Sequence, residues 1–198
     1  MTMNFVVLCS SNGTVFQSVL ERVRDGSVRA RCLGLVADRA DRGCVGKAQQ
    51  HGVPVAVVEL RKDESREDYD VRLHQAIGSF GGRVDLVACM GWMRILSPWF
   101  VQQWKNAILN VHPSLLPKHT GAHAHELVLA SKDTVSGMTI HLIDEGVDTG
   151  QIILQKECPV MADDTVDTLK ARVQSLEAEW YPKVLQMIES GEVTLPSA

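Results

Sequence analysis

The chain has 198 residues, of which 45% are hydrophobic and 22% are charged, and its formal net charge is -4. This length predicts one domain whose core is large enough to need neither disulfides nor a structural metal. The near balance of charge argues against binding to nucleic acids or anionic membranes, and no apolar run approaches the roughly 20 residues of a membrane helix. Because the N-terminal residues lack the basic segment of a signal peptide, we expect a cytoplasmic protein.

The first half of the chain alternates short apolar runs with amphipathic segments. The apolar runs predict strands at residues 4–9, 33–37, 53–58, 86–90 and 107–111. Helical spacing predicts helices after Thr14, taken as an N-cap, at 45–50, within 61–78, and after the Ser97-Pro98 pair. Strands that alternate with helices in this way are typical of an α/β fold with a mostly parallel sheet and right-handed crossovers.

The pattern changes after Pro113. Residues 138–143 and 151–157 are predicted strands, and the acidic loop DEGVDTG between them indicates an antiparallel hairpin. A long amphipathic segment, 165–188, predicts a final helix that packs across the sheet. The expected fold is therefore α/β and Rossmann-like, with a mostly parallel twisted sheet, flanking helices and a C-terminal antiparallel hairpin.

The loop Ser10-Ser11-Asn12-Gly13-Thr14 separates the first strand from its helix. At this edge of a parallel sheet, backbone N–H groups and a helix N-terminus favour a bound phosphate or carboxylate. A tight turn that binds nothing explains the loop equally well, because the full glycine fingerprint of dinucleotide sites is absent.

Asn110 and His112 lie two residues apart on the predicted fifth strand, so both side chains project to one face. An amide that polarises a carbonyl, beside an imidazole that transfers protons near neutral pH, suits acyl or formyl transfer. The alternative is a capping Asn next to a structural His.

Asp148 stands in the predicted hairpin loop, 144–150. If this carboxylate reached His112, it would stabilise the imidazolium and orient a water molecule or the ring. The alternatives are a solvated acidic loop and a calcium loop, although the residue order of a calcium loop is missing.

Two further segments have open interpretations. His119, His123 and His125 suggest a metal site, but without the H-E-x-x-H order they are better read as a polar loop wall. The segment 91–96, GWMRIL, suits a flat heteroaromatic ligand that carries an acid, and ordinary core packing explains it equally well.

Several motifs occur together in one register: NVHPSLLP at 110–117, then Gly121, Gly137-x-x-x-His141 and Asp148-x-Gly150-x-Ile152-Ile153. With GWMRILSP at 91–98 and ARVQSLEAEWYP in the last helix, they resemble the phosphoribosylglycinamide formyltransferases, a family of folate-dependent enzymes of purine synthesis. The resemblance spans nearly the whole chain. It implies a single formyltransferase domain over 1–198, with a Rossmann-like nucleotide-binding half at 1–110 and a folate and catalytic half at 111–198.

The resemblance also implies a reaction. The amine of glycinamide ribonucleotide would attack the formyl group of 10-formyltetrahydrofolate, with no metal involved. His112 would be the general acid or base, Asn110 the donor to the formyl oxygen, and Asp148 the carboxylate that tunes His112. The protein would act on small molecules as a monomer or a homodimer.

Ligand contacts follow from the same resemblance. Folate is expected at Arg66, Met93, Arg94, Ile95, Leu96, Asn110, His141 and Asp144. The amine substrate is expected at Asn12, Gly13, Thr14, Val15, Pro113 and Glu177.

The sequence departs from the family pattern in the opening loop. Ser11 stands where the family usually has glycine, and Val15 where it usually has asparagine. Asp38-Arg39 replaces a common serine-asparagine pair. These changes keep open an N-formyltransferase acting on a different amine, such as a sugar amine or an amino-acid derivative. A distant alternative is an NAD-dependent oxidoreductase, with Gly13 in the dinucleotide turn and Asp38 on the ribose.

Overall fold

The structure is a computed structural model that describes residues 2–197. Its elements in chain order are β1 (Asn4–Cys9), α1 (Thr14–Arg24), β2 (Arg31–Ala37), α2 (Gly43–Gln50), β3 (Val55–Val57), α3 (Arg66–Ser79), β4 (Leu86–Cys89), α4 (Pro98–Gln103), β5 (Ile108–His112), α5 (Ala124–Ala130), β6 (Val135–Leu142), β7 (Ile152–Pro159) and α6 (Val166–Ser190). None of the helices among residues 2–197 has the length and apolar character needed to cross a membrane.

One seven-stranded sheet, in the order β3-β2-β1-β4-β5-β6-β7, runs through the molecule. Neighbours from β3 to β5 pair in parallel, whereas β5–β6 and β6–β7 pair antiparallel. The predicted fold class is therefore confirmed, including the C-terminal hairpin. The antiparallel contact between β5 and β6 goes beyond the prediction, which concerned the hairpin alone.

Helices cover both faces of the sheet. One apolar cluster packs α1, α2, α5 and α6 against one face, and a second packs α3 and α4 against the other. Because both faces are covered, the central strands are apolar throughout: the β1 residues Phe5 to Cys9 have no exposed surface.

The strand order places a topological switch point between β1 and β4. The chain leaves β1 toward β2 on one side and leaves β4 toward β5 on the other, so the loops after β1 and β4 diverge at the carboxyl edge. Such crevices are the usual ligand sites of open α/β sheets. The end of β5, with His112 as its last residue, lies next to this crevice.

Two local predictions were wrong, and one helix was not predicted. Gly13, not Thr14, is the N-cap of α1, because the chain enters the helix through a left-handed residue with φ of 72° and no side-chain cap. The strand predicted at 53–58 forms a ladder only over Val55–Val57. The helix α5 was not predicted, since its N-cap is His123, another left-handed residue without a side-chain cap, and the helix has only seven residues.

Candidate active site

Asn110 and His112 lie on one face of β5, and Val111 between them packs into the core. The neighbouring strand β6 places His141 directly opposite Asn110. Backbone pairing between β5 and β6 fixes these strand positions, so the side chains of Asn110 and His112 are held on a rigid surface.

His141 orients the Asn110 amide. Its Nδ1 lies 2.9 Å from the carbonyl oxygen of Leu142, and its Nε2 lies 3.1 Å from Nδ2 of Asn110. Burial lowers the pKa of His141, which favours the neutral ring. In that form Nδ1–H donates to the carbonyl and Nε2 accepts from the amide, which leaves the second amide hydrogen of Asn110 free for a ligand.

His112 is held between two acceptors and is 5% exposed. Its Nε2 lies 2.8 Å from the carbonyl oxygen of His119, and its Nδ1 lies 3.4 Å from Oδ2 of Asp148. A carbonyl oxygen only accepts, so Nε2 carries a proton. A second proton on Nδ1 would face the carboxylate, so this pocket accommodates the imidazolium form.

Asp148 reaches the ring from the β6–β7 loop through a left-handed backbone, with φ of 56°. Its Oδ2 accepts from the backbone N–H of Gly121 at 2.7 Å, and its Oδ1 lies 3.6 Å from Nε2 of His141. Asp144 stabilises the same loop, because its Oδ1 accepts from the N–H of Gly146 and the hydroxyl of Thr149. The structure thus brings Asp148 beside both imidazoles.

The opening loop presents an uncapped helix end. Among residues 2–197 no side chain caps α1, so the N–H groups of its first turn are open to an anion. The hydroxyl of Ser11 accepts from the N–H of Gly13 at 3.2 Å. Val15 is 7% exposed and packs in the core, so its backbone but not its side chain is available to a ligand, whereas Asn12 and Thr14 are exposed.

The segment after β4 presents apolar side chains to solvent. Met93 is 74% exposed and Ile95 is 55% exposed, while Leu96 packs into the core. Arg94 lies 3.8 Å from the buried Asp38 and stacks 5.0 Å from the ring centre of Tyr69.

Two N–H groups in this segment, Nε1 of Trp92 and Nε of Arg94, are buried without a hydrogen-bond partner. The exposed apolar side chains of Met93 and Ile95 fit the face of a flat heteroaromatic ring, as in a folate. The residues present therefore fit the group that the resemblance implies.

Arg66 is an exposed residue in the first turn of α3. The same helix contacts the segment after β4, because the buried Asp70 accepts from the backbone N–H of Ser97. No direct contact joins Arg66 to the groups around His112 among the described residues. Pro113 follows His112 directly and is half-buried.

Glu177 is buried on α6, and burial raises the pKa of its carboxyl to about 8. The next residue, Ala178, accepts a hydrogen bond from the hydroxyl of Ser18, so this part of α6 lies against α1. The carboxyl therefore lies on the same side of the sheet as the opening loop.

The three histidines of the 119–125 segment have separate surroundings. His119 contacts Asp133 at 2.8 Å, His123 contacts Glu126 at 3.3 Å, and His125 is buried in α5. Among residues 2–197 there is no group of three or more His, Cys, Asp or Glu side chains that could hold a metal ion.

Sequence reasoning missed two backbone groups. The carbonyl of His119 and the N–H of Gly121 contact His112 and Asp148, respectively. Both residues have positive φ, 55° and 77°. The contacts of backbone groups cannot be predicted from side-chain patterns, so the only sequence signal for these two contacts was the glycine at position 121.

Comparisons with known proteins agree with this geometry. Residues 3–185 match the formyl transferase family. The chain is 35% identical to phosphoribosylglycinamide formyltransferase of Escherichia coli over 98% of this chain and 90% of that protein. It is 38% identical to the trifunctional purine biosynthetic protein adenosine-3 of Homo sapiens over 96% of this chain, but it spans only 18% of that protein's length.

Solved structures give the same result. Glycinamide ribonucleotide transformylase 1 from Symbiobacterium toebii superposes with a TM-score of 0.93 at 33% identity, covering 99% of this chain and 92% of that one. Phosphoribosylglycinamide formyltransferase from Coxiella burnetii, in complex with CHES, gives a TM-score of 0.91 at 32% identity, covering 100% of this chain and 92% of that one. The chain therefore belongs to the formyl transferase family, within its branch of phosphoribosylglycinamide formyltransferases.

Proposed function

We propose that this chain transfers the formyl group of 10-formyltetrahydrofolate to the primary amine of glycinamide ribonucleotide, a step of de novo purine synthesis. One observation carries the proposal: an amide, an imidazole and a carboxylate from Asn110, His112 and Asp148 converge at the end of β5. The names of the relatives support the same reaction.

Asn110 stabilises the charge that develops on the formyl oxygen. The bound folate supplies an electrophilic one-carbon group, and attack by an amine moves negative charge onto its oxygen. One amide hydrogen of Asn110 is engaged by His141, so the other is fixed in direction before the reaction begins. A donor oriented in advance stabilises the transition state without reorganisation.

His112 moves the proton. Its Nε2 is tied to the carbonyl of His119, so Nδ1 is the nitrogen that gives or takes a proton during transfer. The attacking amine must lose one proton, and the leaving nitrogen must gain one, so a single imidazole serves both needs. Asp148 stabilises the ring while it is charged and orders water beside it.

Each ligand is bound by residues from both halves of the chain. Arg66, the segment 93–96, His141 and Asp144 bind the folate, with the exposed Met93 and Ile95 against its ring. The opening loop, Pro113 and Glu177 bind the ribonucleotide, with its phosphate at the N-terminus of α1. The enzyme acts on small molecules as a monomer or a homodimer.

A second candidate acceptor is an amine that lacks the ribose phosphate. The hydroxyl of Ser11 occupies the N–H of Gly13, and Val15 offers no polar side chain. Both features remove donors from the loop that would hold the phosphate, and each lost charged contact weakens binding by about 0.5 to 3 kcal/mol. The oxidoreductase alternative has no such support, because Asp38 is buried and already paired with Arg42 at 2.8 Å.

A formyl-transfer assay against a panel of amines tests the proposal. The panel compares glycinamide ribonucleotide with glycinamide, a sugar amine and amino acids, each with 10-formyltetrahydrofolate. The highest kcat/KM for the ribonucleotide supports the purine reaction, and a phosphate-free amine in first place supports the second candidate. Absence of transfer to every amine, together with no protection from thermal unfolding by folate, would overturn both.

A further inference from the structure

We propose that His119 and Asp133 are positioning residues that hold the active conformation of His112 through the loop at 113–121. The expected change in kcat rests on the proposed function, whereas the expected change at the His112 ring does not. Neither side chain contacts His112. Each acts through the backbone carbonyl of His119, which accepts the proton on Nε2 at 2.8 Å.

The loop at 113–121 is attached to the site at two points near its end. The carbonyl of His119 contacts His112, and two residues later the N–H of Gly121 contacts the carboxylate of Asp148 at 2.7 Å. The groups on both sides of the His112 ring are therefore positioned by one short segment. A displacement of this segment would loosen both contacts at once.

The start of the loop is fixed from within the sheet. The N–H of Leu116 donates to the hydroxyl of Thr139, which donates in turn to the carbonyl of Ser114. The hydroxyl of Ser114 donates to the carbonyl of Lys118 at 2.6 Å. These bonds hold the loop as far as Lys118. The same hydroxyl also donates to the carbonyl of His119, but over a longer distance of 3.3 Å, so it restrains that carbonyl more weakly than the carbonyl of Lys118.

The His119 peptide adopts an unfavourable conformation. His119 has a φ of 55°, in the left-handed region that non-glycine residues rarely adopt. Such a conformation costs about 1 kcal/mol or more and persists only when the surroundings enforce it. The main side-chain restraint on His119 is its Nε2, which contacts Oδ2 of Asp133 at 2.8 Å.

Asp133 is well placed to act as this restraint. It follows α5, and its backbone N–H donates to the carbonyl of Val128 in that helix. The hydrogen bond from His119 is the largest of the causes that hold the pKa of Asp133 below its ordinary value, so the carboxylate is ionised at neutral pH. A hydrogen bond that an ionised carboxylate accepts is stronger than one between neutral groups.

A simple surface ion pair is the alternative explanation. Lys118 also approaches Asp133, at 3.5 Å, and its side chain is 68% exposed. Exposed pairs of this kind contribute little. The side chain of His119 is 13% exposed and that of Asp133 is 20% exposed, so their contact is much better shielded from water. Lys118 therefore offers a matched control.

The experiment compares His119→Ala, Asp133→Ala and Asp133→Asn with His119→Gln, which keeps an N–H donor, and with Lys118→Gln. The first readout needs no substrate: NMR of protein labelled with ¹⁵N at histidine follows the Nε2–H of His112 across pH. The charged or titratable groups near that ring are Asp148 on the β6–β7 loop, His141 on β6 and His125 on α5, and none of them is changed. Thermal unfolding identifies any variant that does not fold.

We expect the two alanine variants to shift the Nε2 resonance and the titration of His112. In the transfer assay kcat should fall about tenfold to a hundredfold with the KM of both substrates little changed, since a small misplacement of a catalytic group has an effect of this size. His119→Gln should recover most of the loss, and Lys118→Gln should match the parent protein.

The inference is overturned if His112 titrates identically in the parent, His119→Ala and Asp133→Ala proteins. It is also overturned if Lys118→Gln alters the His112 resonance as strongly as Asp133→Ala, because the resonance would then respond to any nearby change in charge and not to the contact between His119 and Asp133. If the parent protein transfers no formyl group, the proposed function fails while the NMR comparison still tests this inference.

Discussion

Replacing Glu177 by Gln should make the stability of the protein less dependent on pH. Glu177 is 8% exposed on α6, and desolvation raises the pKa of its carboxyl to about 8 from an ordinary value of 4.5. The nearby charge of Lys170 opposes this rise but does not cancel it. At neutral pH the buried carboxyl is thus mostly protonated in the folded protein and ionised in the unfolded chain.

The sign and size of the effect follow from proton linkage. Between pH 4.5 and about 8 the folded protein binds more protons at this site than the unfolded chain. The free energy of unfolding therefore contains a favourable contribution below pH 4.5 that is lost as the pH rises through the folded-state pKa. One pKa unit corresponds to about 1.4 kcal/mol, which sets an upper limit near 5 kcal/mol for the whole range.

Urea unfolding at a series of pH values from 4.5 to 9 measures this contribution in the parent protein and in Glu177→Gln. The variant should gain stability relative to the parent as the pH rises. Glu179→Gln is the control, because Glu179 lies on the same helix but is exposed and paired with Lys183. A stability difference between parent and Glu177→Gln that stays constant with pH would refute the reasoning.

Three substitutions test other parts of the site. Asn110→Ala should lower kcat about a hundredfold in the transfer assay if its amide faces the developing oxyanion, and an unchanged kcat would remove it from the mechanism. Asp148→Asn should change the shape of the pH profile of kcat/KM, whereas a uniform drop would limit Asp148 to a structural role. Gly13→Ala should lower the thermal midpoint more than Gly26→Ala, although both glycines have positive φ. A Cβ at Gly13 would lie 2.7 Å from the Cβ of Cys44, whereas a Cβ at Gly26 would have open space. Equal losses of thermal stability in the two variants would contradict this reasoning.

Sequence patterns predicted the elements that depend on local periodicity. The continuous apolar runs of β1 and β4 follow from burial on both faces of a parallel sheet, which the structure confirms. The period of two along β5 likewise predicted that Asn110 and His112 share one face of the strand. The Ser97-Pro98 pair begins α4 because the serine caps the helix and proline needs no N–H there.

The remaining features depend on contacts between distant residues or on unusual backbone angles. No spacing links Asp133 to His119 or Gly121 to Asp148, which are 14 and 27 residues apart and meet only in the folded loop. The positive φ of Asp148 has no sequence signal either, because it is not a glycine. Helix α5 was not predicted, because its N-cap, His123, provides no capping side chain.

The direction of β6 explains how two loops place groups on both sides of the His112 ring. Because β6 runs antiparallel to β5, His141 lies opposite Asn110, and the chain then turns beside it so that Asp148 reaches Nδ1 of His112. The loop that follows β5 reaches Nε2 of the same ring. If β6 were parallel to β5, the loop after β6 would lie beyond the end of β5, where the loop at 113–121 already lies. The opening loop belongs to β1, two strands from β5. If the opening loop binds the amine as proposed, a change there, such as Ser11, alters the amine that binds while the groups around His112 keep their geometry.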